Sequence, residues 1–103
     1  MNLNVNLLNI INNGTQVGAR CSFLVENEVC WSSVGLQKWE GKYKVFIDGI
    51  LESKMSSEEY LKEEIVSFDS AESALEFIKH NTKIEISALT PCKGQRIFNP
   101  KFD

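Results

Sequence analysis

Ile65-Val66-Ser67-Phe68-Asp69-Ser70-Ala71-Glu72-Ser73-Ala74-Leu75-Glu76-Phe77-Ile78 decides the fold. Its opening is β-branched and aromatic with one polar interruption, which reads as a short strand. Asp69-Ser70-Ala71-Glu72 then supplies a helix start, because a serine oxygen can accept from the amides that a first turn leaves unpaired. Ala71, Ala74, Leu75 and Ile78 recur at i, i+3, i+4 and i+7 and form one apolar face. Phe77 flanks that face, while Glu72, Ser73, Glu76 and Lys79 turn to solvent. Lys79-His80-Asn81 suits the carbonyl end of a helix dipole. The spacing predicts a helix over about 70–80. Ile84-Glu85-Ile86-Ser87-Ala88-Leu89 alternates as a following strand.

Upstream, strands dominate. Val17 to Val25 and Val29 to Val34 are apolar runs separated by Glu26-Asn27-Glu28, a hairpin with an acidic loop. Gly35 to Gly41 reads as a connection carrying Trp39. Lys42 to Ile47 is a further strand, and Asp48-Gly49 a tight turn into Ile50-Leu51-Glu52. Ser56 followed by Glu59 matches a capping box and predicts a short helix over about 57–64, with Tyr60 and Leu61 inward. Leu3-Val5-Leu7 alternates with asparagine as a strand, although Leu3, Leu7, Ile10 and Ile11 also fit a helical stripe; strand is preferred. Asn12-Asn13-Gly14 is a turn. Pro91 and Gly94 interrupt regular structure, and Phe98-Asn99-Pro100 suggests a tail laid on the body by its aromatics.

Strands first, then strand–helix–strand, give an α+β domain: a mostly antiparallel sheet with one main helix on a face and the short helix at an edge. The length, 103 residues, fits a single domain over 1–103. Hydrophobic residues at 43% and charged residues at 24% place it among ordinary soluble domains. No apolar run approaches the roughly 20 residues of a membrane span. Met1 to Asn6 has neither a positive charge nor a continuous apolar stretch, so no secretory signal is read and the cytoplasm is the expected compartment. Cys21, Cys30 and Cys92 are odd in number and form no C-x-x-C pair, which fits reduced thiols.

No constellation points to catalysis, a metal or a cofactor. His80 is the one histidine, and nothing in the sequence sets a cysteine beside it. The four Cys and His residues are scattered, unlike the close pairs of a structural zinc site. Glu58/Glu59 and Glu63/Glu64 sit in a run suited to a solvated face, whereas acid–base work needs carboxylates in unlike environments. Thr90-Pro91-Cys92-Lys93-Gly94-Gln95-Arg96 sets two cations beside a thiol, which could activate it; a turn pinned by Ile97 and Phe98 is the preferred reading. The chain is expected not to be an enzyme.

Charge is more informative. The net charge of −3 makes free nucleic acid an unfavourable direct partner. From Glu58 to Glu76 seven acids (Glu58, Glu59, Glu63, Glu64, Asp69, Glu72, Glu76) face one base, Lys62, for a net −6. From Lys79 to Asp103 five bases face two acids, for +3. The bland reading is a solvated acidic face. The functional one is a docking surface for a basic protein, since such a patch speeds and orients encounter. Trp39, in a polar stretch, is the aromatic anchor of choice; Trp31, in an apolar strand, is assigned to the core.

In size, acidity, lack of catalytic motifs and its Ile65–Ile78 segment, the chain resembles small bacterial toxin-immunity proteins, including those of contact-dependent growth inhibition systems. The resemblance implies a stoichiometric antitoxin that blocks a cognate toxin domain, often a nuclease. The alternatives are a phage-type or accessory inhibitor of a nucleic-acid-processing complex, a subunit of a larger assembly, and a small Cys/His enzyme.

Overall fold

The computed structural model describes residues 5–92 and 96–101, and the helix that the sequence marks most clearly lies against its sheet. The elements in chain order are α1 (Val5–Asn12), β1 (Val17–Val25), β2 (Glu28–Trp39), β3 (Lys42–Leu51), a 3-10 segment (Glu52–Ser57), β4 (Tyr60–Phe68), α2 (Ala71–Asn81), a 3-10 turn (Ile86–Ala88) and β5 (Thr90–Pro91). The strands form one antiparallel sheet in the order β4-β3-β2-β1-β5. The α+β class and the main helix stand as read.

α2 starts where Ser70 Oγ accepts from the Ser73 amide at 3.1 Å. Ala71, Ala74, Leu75 and Ile78 are buried, and Phe68 and Phe77 meet at 5.1 Å beside them. The helix stops where Thr82 folds its hydroxyl back onto the Ile78 carbonyl at 2.7 Å. Beneath it, Val34, Leu36, Val45 and Ile47 alternate inward from β2 and β3 and complete one core with Val17, Ile84 and Leu89.

The first segment is a helix, and the preferred strand reading is corrected. Leu7 and Ile11 are buried and Leu8 and Ile10 pack beside them. A strand would split that apolar set between two faces, whereas a 3.6-residue period gathers it onto one. Leu3 lies outside the described residues.

Two connections expected from the sequence are strand. β2 runs on through Gly35 to Trp39, and the chain reverses at Glu40–Gly41, with φ of 50° and 80°. Positive φ at both central residues is what a twist-matched two-residue hairpin needs; Glu26–Asn27 repeats it between β1 and β2. Gly35 serves contact rather than turning, since a Cβ there would meet the Phe98 ring at 2.7 Å. Asp48-Gly49 lies within β3, opposite Ser33 and Ser32. There Asp48 is held by the Ser33 amide on its carboxylate at 2.7 Å and by the Ser32 hydroxyl on its carbonyl at 2.9 Å.

The helix expected over 57–64 is also corrected, to β4. Tyr60 to Phe68 pairs with β3 nearly throughout, slipping once at Gly49/Ile50. Ladder pairing and the β-favouring Tyr60, Ile65, Val66 and Phe68 override the helical preference of Lys62-Glu63-Glu64. In place of the capping box, the Ser57 hydroxyl donates to the Lys54 carbonyl at 3.1 Å and lies 2.7 Å from Glu59 Oε2. Tyr60 and Leu61 are exposed, not inward. The strand read at Ile84 to Leu89 is a 3-10 turn between two buried anchors, Ile84 and Leu89; the last strand is only Thr90–Pro91.

Both helices and the core lie on one face of the sheet. The other face is covered in part by the chain end, where Phe98 stacks on Phe46 at 5.6 Å and Pro100 is buried. No helix among the described residues is long and apolar enough to cross a membrane.

Candidate docking face

The chain end covers the sheet over Gly18, Gly35 and Phe46 and leaves part of that face open. Strand alternation sends Trp31 and Ser33 of β2, Phe46, Asp48 and Ile50 of β3, and Tyr60 and Glu63 of β4 to this same side. Together with Arg20, Met55 and Ile97 they line a groove of about 360 Å³. Three of its large side chains face solvent: Trp31 at 41%, Met55 at 47% and Tyr60 at 43% exposure. An open cluster of this size is the unusual feature, because single exposed hydrophobic residues are ordinary and contiguous ones mark contact sites.

The groove is acidic. Desolvation, then the charges of Asp48, Glu63 and Glu58, raise the Tyr60 phenol. Asp48 is itself pushed above its ordinary 3.8, chiefly by burial and further by Glu63, against the lowering effect of its bonds from Ser33. Arg20 is the cation on the rim and reaches the Ser33 hydroxyl through Nε at 3.3 Å.

The seven acids singled out in the sequence do not form one patch. Glu63 lines the groove, and Glu58, outside its lining, acts on Tyr60 through its charge. Glu59 is bridged to Lys54 at 3.7 Å, and its carboxyl is held low by the Ser57 hydroxyl and Lys54. Glu64 shares the helix-side face of Ile47 and meets Lys62 at 3.4 Å. Asp69, at the end of β4, pairs with Lys42, which lowers its carboxyl. Glu72 and Glu76 lie on the outer face of α2, across the sheet from the groove, and Glu76 meets His80 at 3.0 Å.

Trp31, assigned to the core from the sequence, is exposed instead. Trp39 is half-buried near the far end of β2, about 27 Å away at roughly 3.4 Å per residue. Sequence reasoning also missed Asp48, Met55 and Tyr60. For Asp48 and Tyr60 the signal was available in the alternation of β3 and β4, hidden by assigning one segment to a turn and the other to a helix; Met55, on the 3-10 segment, carried no such signal.

A second cleft, of about 470 Å³, opens past the C-terminal end of α2 and includes both Cys30 and His80 in its lining. Cys30 is buried and turns its thiol toward the Trp31 carbonyl at 3.9 Å, while His80 is engaged with Glu76. Burial raises the Cys92 thiol, the reverse of activation; Lys93 and Gly94 of its loop lie outside the described residues. Among the described residues no group of three or more His, Cys, Asp or Glu could hold a metal ion. In comparisons with protein-family models, curated proteins and solved structures, the chain matches none.

Proposed function

We propose that the protein is a non-catalytic inhibitor of the immunity type, which neutralises a basic toxin domain, a nuclease, in the cytoplasm by docking it on the open sheet face. The observation that carries this reading is the exposure of Trp31, Met55 and Tyr60 beside Asp48 and Glu63, with the charge of Glu58 also acting on Tyr60. Aromatic anchors supply most of the energy of a typical interface, and surrounding carboxylates select a cationic counterpart. A lysine or arginine entering the groove would stack on Tyr60 or Trp31 and neutralise carboxylates that now repel one another. Nucleases hold nucleic acid through basic surfaces, so an acidic plug competes with their substrate.

The experiment is association kinetics with a basic nuclease toxin domain, sought in the reading frames adjacent to that of this chain. Glu58→Lys together with Glu63→Lys should slow association about tenfold or more at low salt and flatten its salt dependence. Glu72→Lys together with Glu76→Lys, on the far side of the sheet, should change it little. The opposite ranking would move the interface to α2.

A further inference from the structure

The two long edges of the sheet are unequal. β4 forms one edge and carries Lys62, Glu63 and Glu64. The other edge is β1, which β5 covers only at Val17 and Gly18. From Ala19 to Val25 no described strand pairs with the outer side of β1, and that segment, Ala-Arg-Cys-Ser-Phe-Leu-Val, has one charge and no proline. Long, weakly charged edges are templates for strand pairing unless something covers them.

We propose that this edge is covered by a second copy of the same chain, β1 against β1 in antiparallel register about a two-fold axis at Ser22. The direction of the backbone groups supports this. The Gln16 carbonyl points outward, since it accepts from the Cys92 amide at 2.9 Å. Alternation along the strand then turns the N–H and C=O groups of Arg20, Ser22 and Leu24 outward as well. Three residues in each copy thus supply three donors and three acceptors to the edge. Ser22 is the midpoint of the open segment, so two-fold pairing there joins all of them in six hydrogen bonds.

The side chains agree with this register. Arg20 lies opposite the partner's Leu24, Cys21 opposite the partner's Phe23, and Ala19 opposite the partner's Val25, so no like charges meet. Leu24, 69% exposed, gains a neighbour. The same operation on β4 would centre on Glu64 and set it against the partner's Glu64, a repulsive pair. Pairing therefore closes at two copies instead of extending into a filament. The resulting sheet has eight long strands and the two short β5 strands; it meets the groove of Trp31 and Tyr60 only at Arg20, and the inference rests on the β1 edge, not on the proposed function.

Sedimentation equilibrium of the purified full chain at micromolar concentration is the test, and two chains per particle are expected. Ser22→Pro removes an outward N–H without touching the β1–β2 ladder, and should give monomers with unchanged circular dichroism. Leu24→Lys sets a cation opposite the partner's Arg20 twice per dimer and should weaken association about tenfold or more at low salt. Adding Arg20→Glu to Leu24→Lys should restore it by turning both contacts attractive. A wild-type monomer at 100-fold higher concentration, open-ended oligomers, or a dimer indifferent to these changes would overturn the proposal.

Discussion

The side-chain amide of Gln16 donates to Oε1 of Gln37 at 2.9 Å across the buried start of β1. Its Nε2 also donates to the Phe98 carbonyl at 2.9 Å, and its Oε1 accepts from the Ile97 amide at 2.7 Å. Gln37 in turn donates to the Gly14 carbonyl at 3.0 Å. One glutamine pair thus ties the turn after α1, the second strand and the chain end into one network. Gln16→Leu would leave buried groups on Gln37, Ile97 and Phe98 unpaired, at about 1–3 kcal/mol for each group that water cannot reach. A total loss on the order of 3 kcal/mol in urea unfolding is expected, with release of the Phe98 ring from Phe46.

Two glycines should respond oppositely to alanine. At Gly18 a Cβ would meet Ile97 Cδ1 at 2.3 Å and the Val34 carbonyl oxygen at 2.7 Å, and backbone cannot yield as a side chain does. Gly18→Ala should destabilise by about 1–3 kcal/mol, the usual range for overpacking. At Gly49 the nearest atom is the Cys30 sulfur at 3.7 Å, an ordinary contact. Gly49→Ala should be neutral or stabilise by up to about 1 kcal/mol, through the lower entropy of the unfolded chain. Thermal unfolding of both variants checks the pair.

Leu75 and Ile78 are 1% and 0% exposed on the face of α2 turned to the sheet. Leu75→Ala or Ile78→Ala should each cost about 2–5 kcal/mol, the range for cavities left in a packed core. A loss well below 1 kcal/mol would place the helix on a different face.

The parts of the fold read correctly from sequence are those where local signals and burial agree. In α2 the cap, the i, i+3, i+4, i+7 spacing and the sheet beneath all favour the same helix. In the hairpin of β1 and β2, apolar runs flank a turn that tolerates positive φ. The misread parts owe their conformation to distant residues. Gly35 sounds like a linker until Phe98 lies on it, and Asp48-Gly49 sounds like a turn until Ser32 and Ser33 fasten it within β3. The segment over 57–64 favours a helix locally, but from Tyr60 onward it becomes strand by pairing with β3, which is why sequence reasoning does not place Tyr60 and Glu63 with Trp31.

Titration gives a check on the groove. Burial, then Glu63, raises Asp48 above its ordinary 3.8. The folded state therefore holds that proton more tightly than the unfolded chain, and Asp48 costs stability as pH rises from about 3.8 through its folded value. Asp48→Asn should remove this fall. Asp69, lowered by Lys42, acts below 3.8, where its contribution is lost as pH drops, so the two effects separate. Carboxyl NMR should find Asp48 high in the free protein, lower after Glu63→Gln, and lower again when a cationic partner binds.

Growth rescue tests the central claim most directly. A toxin domain encoded beside this chain would be expressed with the wild type, with the pair Trp31→Ala and Glu63→Lys, or with the pair Glu72→Lys and Glu76→Lys, at matched protein levels. Rescue should be complete for the wild type and the α2 pair, and lost for the groove pair. Full rescue by the groove pair, or no rescue by the wild type, would contradict the account.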